Sequence, residues 1–72
     1  MKKVRFLRMI TVDLKDDSYK DDLFSSEKTF YNRQVIFANN VEETVNGYLD
    51  MELSNGDLAI GIPKDAVEIA DA

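Results

Sequence analysis

The dipeptide Asn55-Gly56, centred in residues 47–62, constrains this chain more than any other feature. Asn-Gly is the preferred pair for a two-residue type I′ turn, in which both central residues take positive φ. The flanks agree with such a turn. It sets Ser54 opposite Asp57, Leu53 opposite Leu58, Met51 opposite Ile60 and Leu49 opposite Ile62. All three apolar pairs then share one side of the ribbon, and Asp50, Glu52, Ala59 and Gly61 share the other. Side chains alternate along a strand, so a slip of one residue would scramble the match. A half-buried hairpin needs further strands or a helix packed on it, and because the remaining segments read mainly as strands an all-β chain is expected.

The other segments supply those strands. In residues 3–14, Val4, Phe6, Ile10, Val12 and Leu14 recur at even positions, with Arg8 out of place. Leu7 and Met9 make the odd face partly apolar as well, so this reads as one strand bent between two sheets or bulged near Arg8. Residues 15–27 read as a long acidic loop with Leu23-Phe24 as an anchor. Residues 28–38 admit either a helix face through Phe30, Tyr31, Gln34 and Phe37 or a strand. The β-branched and aromatic run Val35-Ile36-Phe37 favours a strand over 33–38. Residues 39–47 read as a polar loop. Pro63 ends the hairpin, Lys64-Asp65-Ala66 fits one 3₁₀ turn, and Val67-Glu68-Ile69 fits a last short strand.

Composition narrows the class of protein. Seventy-two residues make a single domain, 1–72, with a small core. The chain has neither cysteine nor histidine. Disulfides and the commonest metal ligands and general bases are therefore unavailable, and a reducing, cytoplasmic setting is expected. The apolar runs are too short to span a membrane. Arg5 and Arg8 break the apolar stretch that a signal peptide would need, so the N-terminus reads as mature structure. Charge is uneven. Residues 1–33 hold eight basic residues and six acids, net +2; residues 34–72 hold Lys64 against eight acids, net −7. Such a surface repels phosphate backbones and favours a basic partner.

The order of these elements resembles the SH3 family. The resemblance is strongest from Val35 to Ile69. Asn46-Gly47-Tyr48-Leu49-Asp50-Met51-Glu52-Leu53 is similar to the third SH3 strand. Gly61-Ile62-Pro63-Lys64-Asp65-Ala66-Val67-Glu68-Ile69 is similar to the family's strand, 3₁₀ turn and closing strand. The resemblance implies a five-stranded barrel with residues 15–27 as an RT-type loop, residues 39–47 as the n-Src loop and Asn55-Gly56 as the distal turn. It places Tyr48 where the family has its groove Trp and Pro63 at the groove Pro. Ala66 stands where a groove Tyr belongs, and Thr11-Val12-Asp13-Leu14 lacks the family's aromatic motif. A polyproline ligand packs between aromatic walls, so PxxP binding is not expected.

The partner-binding residues expected are Asp16, Asp17, Asp21 and Asp22 of the acidic loop, with Tyr48 and Pro63. Acids in such a loop pair with ligand Arg or Lys. No metal site is expected, because the acids lack calcium-loop spacing and a turn glycine. No cofactor is expected either. Asp50 and Glu52 share a strand face, but nothing there separates their protonation, and no hydroxyl has a base beside it, so the chain does not read as an enzyme. Three functions follow. The first is a protein-interaction module whose partner has a basic surface. The second is an acidic inhibitor, of the kind found in phage and mobile elements, that occupies a nucleic-acid site on another protein. The third is a weak nucleic-acid-binding barrel using Lys2, Lys3, Arg5 and Arg8 with Phe6 and Tyr31.

Overall fold

The structure is a computed structural model that describes residues 1–15 and 26–72. It is all-β. The strands are β1 (Lys2–Phe6), β2 (Ile10–Lys15), β3 (Ser26–Phe30), β4 (Val35–Glu43), β5 (Tyr48–Leu53), β6 (Leu58–Pro63) and β7 (Val67–Asp71). A tight turn at Val45–Gly47 joins β4 to β5, and a 3₁₀ turn at Lys64–Ala66 joins β6 to β7. The strands form one antiparallel sheet in the order β3-β2-β6-β5-β4-β1-β7. The seven-stranded sheet is not closed: among the described residues β3 and β7 are its free edges, so it is not a five-stranded barrel.

Two segments account for the extra strands. The apolar run of residues 3–14 divides at Leu7–Arg8. Continuing straight would drive the Arg8 guanidinium into the core alongside Val4, Phe6 and Val12, all buried. The chain bends there instead, Leu7 donates its amide to the Ala66 carbonyl at 2.8 Å, and Leu7, Arg8 and Met9 stay exposed. The second segment is Ser26–Phe30, which pairs along β2 from Leu14↔Ser26 to Ile10↔Phe30. Lys15 and Ser26 are therefore strand ends, not loop, and the helical alternative for residues 28–38 is not adopted. β4 also runs on through Asn39-Asn40 to Glu43, where a polar loop was expected. A bulge between Ala38 and Asn40 absorbs the asparagines and shifts the inward parity from Ile36 and Ala38 to Val41. One strand can thus serve β1 with its first half and β5 with its second.

The sheet curls over its own core. A flat sheet with strands about 4.8 Å apart would be a single thin layer, yet the smallest dimension is 21 Å. Phe6 of β1 and Phe30 of edge strand β3 stack with centroids 4.5 Å apart and planes within 5°. They come from opposite ends of the strand order, so side chains join what the hydrogen bonds leave open. Met51, Ile62, Leu49, Ala38 and Ala59 belong to the same buried cluster.

The hairpin is present, with a different turn. Gly56 donates to the Leu53 carbonyl at 2.9 Å, and Leu53 donates to the Asp57 carbonyl at 2.8 Å. Gly56 holds φ +95, and Asn55 is not among the positive-φ residues. This is a three-residue loop ending in a left-handed glycine, not a type I′ turn. The Asn55 side chain holds it by accepting from the Asp57 amide at 3.0 Å. The longer loop moves the nearby pairs by one, to Glu52↔Leu58 and Met51↔Ala59. An irregularity between Leu49 and Met51 restores the expected Leu49↔Ile62. There Gly61, at φ +76, donates to Asp50 Oδ1 at 3.0 Å. Ala59 therefore lies in the core, and Leu58 is exposed.

Candidate functional site

Tyr48 opens β5 and Pro63 closes β6, and the register sets them opposite one another. The preceding turn places Tyr48. Asn46 and Gly47 hold φ +66 and +77 in succession, which reverses the chain within three residues. Thr44 then donates its amide and its hydroxyl to the Tyr48 carbonyl, at 2.8 and 3.1 Å. Leu49 takes the core side of the strand, so Tyr48 faces outward and is 45 % exposed. Pro63 lacks an N–H, and the chain leaves the ladder there for the 3₁₀ turn.

These two residues line a shallow cavity of about 520 Å³ together with Arg8, Asn46, Gly47, Lys64 and Asp65. Arg8 Nη2 donates to Asp65 Oδ1 at 3.1 Å, and Lys64 Nζ donates to Glu43 Oε1 at 2.8 Å. Both pairs are exposed, so each contributes little to stability, and a charged ligand can compete for either partner. Sequence reasoning missed Arg8 and Asp65 as neighbours of Tyr48. The available signal was Arg8 itself, the one even position of the first apolar run that could not point inward. Ala66 is fully buried, so the place where the SH3 resemblance expects a Tyr is occupied by a core alanine. Asp16, Asp17, Asp21 and Asp22 lie outside the described residues.

A second charged surface lies on β4 and β5. Glu42 stands opposite Asp50, and Asn40 opposite Glu52. With Met51 and Leu58 they line a depression of about 110 Å³. Glu42 was hidden within the expected loop, and only the extension of β4 brings it beside Asp50. Asp50 is also tied to the Gly61 amide, so it supports the bulge as well as the surface.

Three of the four basic residues of the N-terminal cluster are paired with acids from the end of the chain. Lys2 pairs with Asp71, Arg5 with Glu68 and Arg8 with Asp65. The first two are direct cross-strand neighbours. The Lys2 ammonium donates to the Asp71 carboxylate and holds its pKa below the ordinary value of 3.8. This seam joins the basic first third of the sequence to acids of the last.

No family model, curated protein or solved structure matches this chain. Among the described residues, no helix is long and apolar enough to cross a membrane.

Proposed function

We propose that this chain is a non-enzymatic protein-interaction module with an SH3-like plan, whose contact surface is the Tyr48–Pro63 shelf and the acidic segment Asp16–Asp22. The observation that carries the reading is the exposed Tyr48 ring opposite Pro63 in a shallow, charge-lined cavity. An exposed aromatic beside a rigid ring gives apolar contact at small entropic cost, and the ion pairs beside them offer exchangeable partners. The order of strand, hairpin, strand, hairpin, 3₁₀ turn and strand supports the SH3-like plan. The partner is a protein with a basic surface, and the absence of cysteine suits a cytoplasmic setting.

The test is a titration of the labelled chain with lysine- and arginine-rich peptides and with a class-spanning set of PxxP peptides, followed by amide shifts. Basic peptides are expected to bind weakly and salt-sensitively, with shifts at Tyr48, Pro63 and Asp16–Asp22. PxxP peptides are expected not to saturate at micromolar concentration. The missing Ala66-position wall is worth about 1–2 kcal/mol, roughly a decade in affinity. Tyr48→Ala should weaken basic-peptide binding by a similar factor. Saturable PxxP binding at the shelf would mean that other residues rebuild the groove, and shifts confined to the far side of the sheet would remove the site.

A second reading, an acidic inhibitor of a nucleic-acid-binding protein, is favoured by the Glu42, Asp50 and Glu52 surface. Like charges opposed across strands cost stability, and a basic partner would relieve that cost. Steep salt dependence, and loss of binding in Glu42→Gln with Glu52→Gln, would select this reading over the first. Direct nucleic-acid binding is disfavoured because phosphate would have to displace the acids already held by Lys2, Arg5 and Arg8. A single-stranded DNA titration at low salt should show no binding.

A further inference from the structure

Among the described residues, β7 ends the strand order and pairs on one side only, with β1. In the ladder with β1, Ala72 donates to the Met1 carbonyl at 3.2 Å and Leu7 donates to the Ala66 carbonyl at 2.8 Å. On the other side of β1, Phe6 donates to the Gln34 carbonyl at 2.9 Å. Odd residues of β1 therefore bond to β7 and even residues to β4. In an antiparallel ladder these assignments alternate strictly. With the register Lys3↔Ala70 and Arg5↔Glu68, the N–H and C=O groups of Glu68 and Ala70 face β1. Those of Val67, Ile69 and Asp71 face away from the sheet, where β7 has no neighbouring strand among the described residues.

Such an edge is usually protected by charged side chains, above all lysine, by a proline or by a bulge. β7 reads Val-Glu-Ile-Ala-Asp and has no lysine, proline or bulge, only two acids. Its two acids are already held by Arg5 and Lys2 of the same molecule. Ile69 adds an apolar reason for cover. It stands opposite Val4, which is fully buried, yet is itself 38 % exposed. The core therefore runs out to this edge, with no cap on Ile69 among the described residues.

We infer that β7 pairs antiparallel with β7 of a second copy of this chain, about a twofold axis at Ile69, to form a homodimer with one continuous sheet. This register overlaps the whole strand and matches every outward residue with an outward residue: Ile69 with Ile69, and Val67 with Asp71. Glu68 falls opposite Ala70, so no like charges are opposed. Shifting the axis to Glu68 would set two carboxylates against each other. The two Ile69 side chains cover one another on the core side. A five-residue ladder buries less area than stable dimers do, so association is expected only toward millimolar concentration. The surface is separate from the Tyr48–Pro63 shelf and does not depend on it.

Sedimentation equilibrium and amide hydrogen exchange of the full chain, from micromolar to millimolar concentration, test this. The mass should rise from one chain toward two. Over the same range the Ile69 and Asp71 amides should become protected, while those of Glu68 and Ala70 stay protected throughout. Ile69→Lys sets two ammonium groups against each other and should weaken the dimer at least tenfold, with the remaining amide protection unchanged. If that variant does not fold, a synthetic chain with an N-methylated Ile69 amide removes only an outward donor and should stay monomeric. A one-chain mass with freely exchanging Ile69 and Asp71 amides at every concentration overturns the inference. So does a dimer that persists in Ile69→Lys, or one whose new protection lies on another strand.

Discussion

The β5–β6 hairpin and the pairing of β1 with the β2–β3 arm build one core by opposite means. The hairpin is local: its strands are consecutive, and a single turn brings Leu49, Met51, Ala59 and Ile62 together. The arm is joined to β1 at a distance: Phe6 meets Phe30 only when the sheet curls and its two ends approach. Local contacts cost little chain entropy to form, whereas distant ones must wait for the rest of the fold. The hairpin should therefore resist change through its backbone, and the arm through its packing.

The sharpest way to break this comparison is to empty the packing side. Phe6→Ala removes a fully buried, stacked ring and should cost about 3–5 kcal/mol. That is a large part of the stability of so small a domain. Urea denaturation should show the folded population lost or nearly so. A double-mutant cycle with Phe30→Ala should recover a coupling of about 1 kcal/mol, since each ring is the other's partner. Additive effects would mean that the sheet ends do not meet.

The backbone side is tested at the turn. Gly56 holds φ +95, and a Cβ there would meet nothing within 4 Å. Gly56→Val should therefore cost only the strain of a β-branched residue at positive φ, about 1–3 kcal/mol. Gly56→Asn should cost less, because asparagine tolerates that conformation. An unchanged melting temperature in the valine variant would contradict the turn.

The smallest effect is electrostatic. The folded-state pKa of Asp71 is lowered, first by the hydrogen bond from Lys2 and then by its charge. A depressed carboxylate pKa contributes stability above the unfolded value of 3.8, and that contribution is lost as pH falls through the folded value. Lys2→Ala should return the Asp71 titration toward 3.8 by NMR. Melting at neutral pH should scarcely change, because the Asp71 carboxylate lies in solvent and solvent-screened ion pairs contribute little.

The same contrast explains what could be read from the residues alone. The hairpin was legible because its pattern is contiguous. Its turn type was not, because Asn-Gly suits both a two-residue loop and a three-residue loop with a left-handed glycine. The choice made at Asp57 moved Ala59 inward. β3 was illegible because Ser-Glu-Lys-Thr-Phe contains one buried residue, and that residue finds its partner on a distant strand. At the candidate site, the SH3 resemblance grouped Tyr48 with Pro63, and they stand opposite one another because the irregularity between Leu49 and Met51 offsets the shifted turn. The Arg8–Asp65 pair needed the bend at Leu7, which is a tertiary event.

The seam between β1 and β7 has a mechanical consequence. Met1 and Ala72 are hydrogen-bonded neighbours at the same end of an antiparallel pair. A pull applied at these two residues acts across the ladder, not along it. The bonds then open one after another, as a zipper does, instead of sharing the load. Lys2–Asp71 would part first, then Arg5–Glu68, then Arg8–Asp65. A tether attached at Tyr48 and Lys28 would meet no such sequential path. The domain should thus yield readily when drawn by Met1 and Ala72, whatever its stability toward heat or urea.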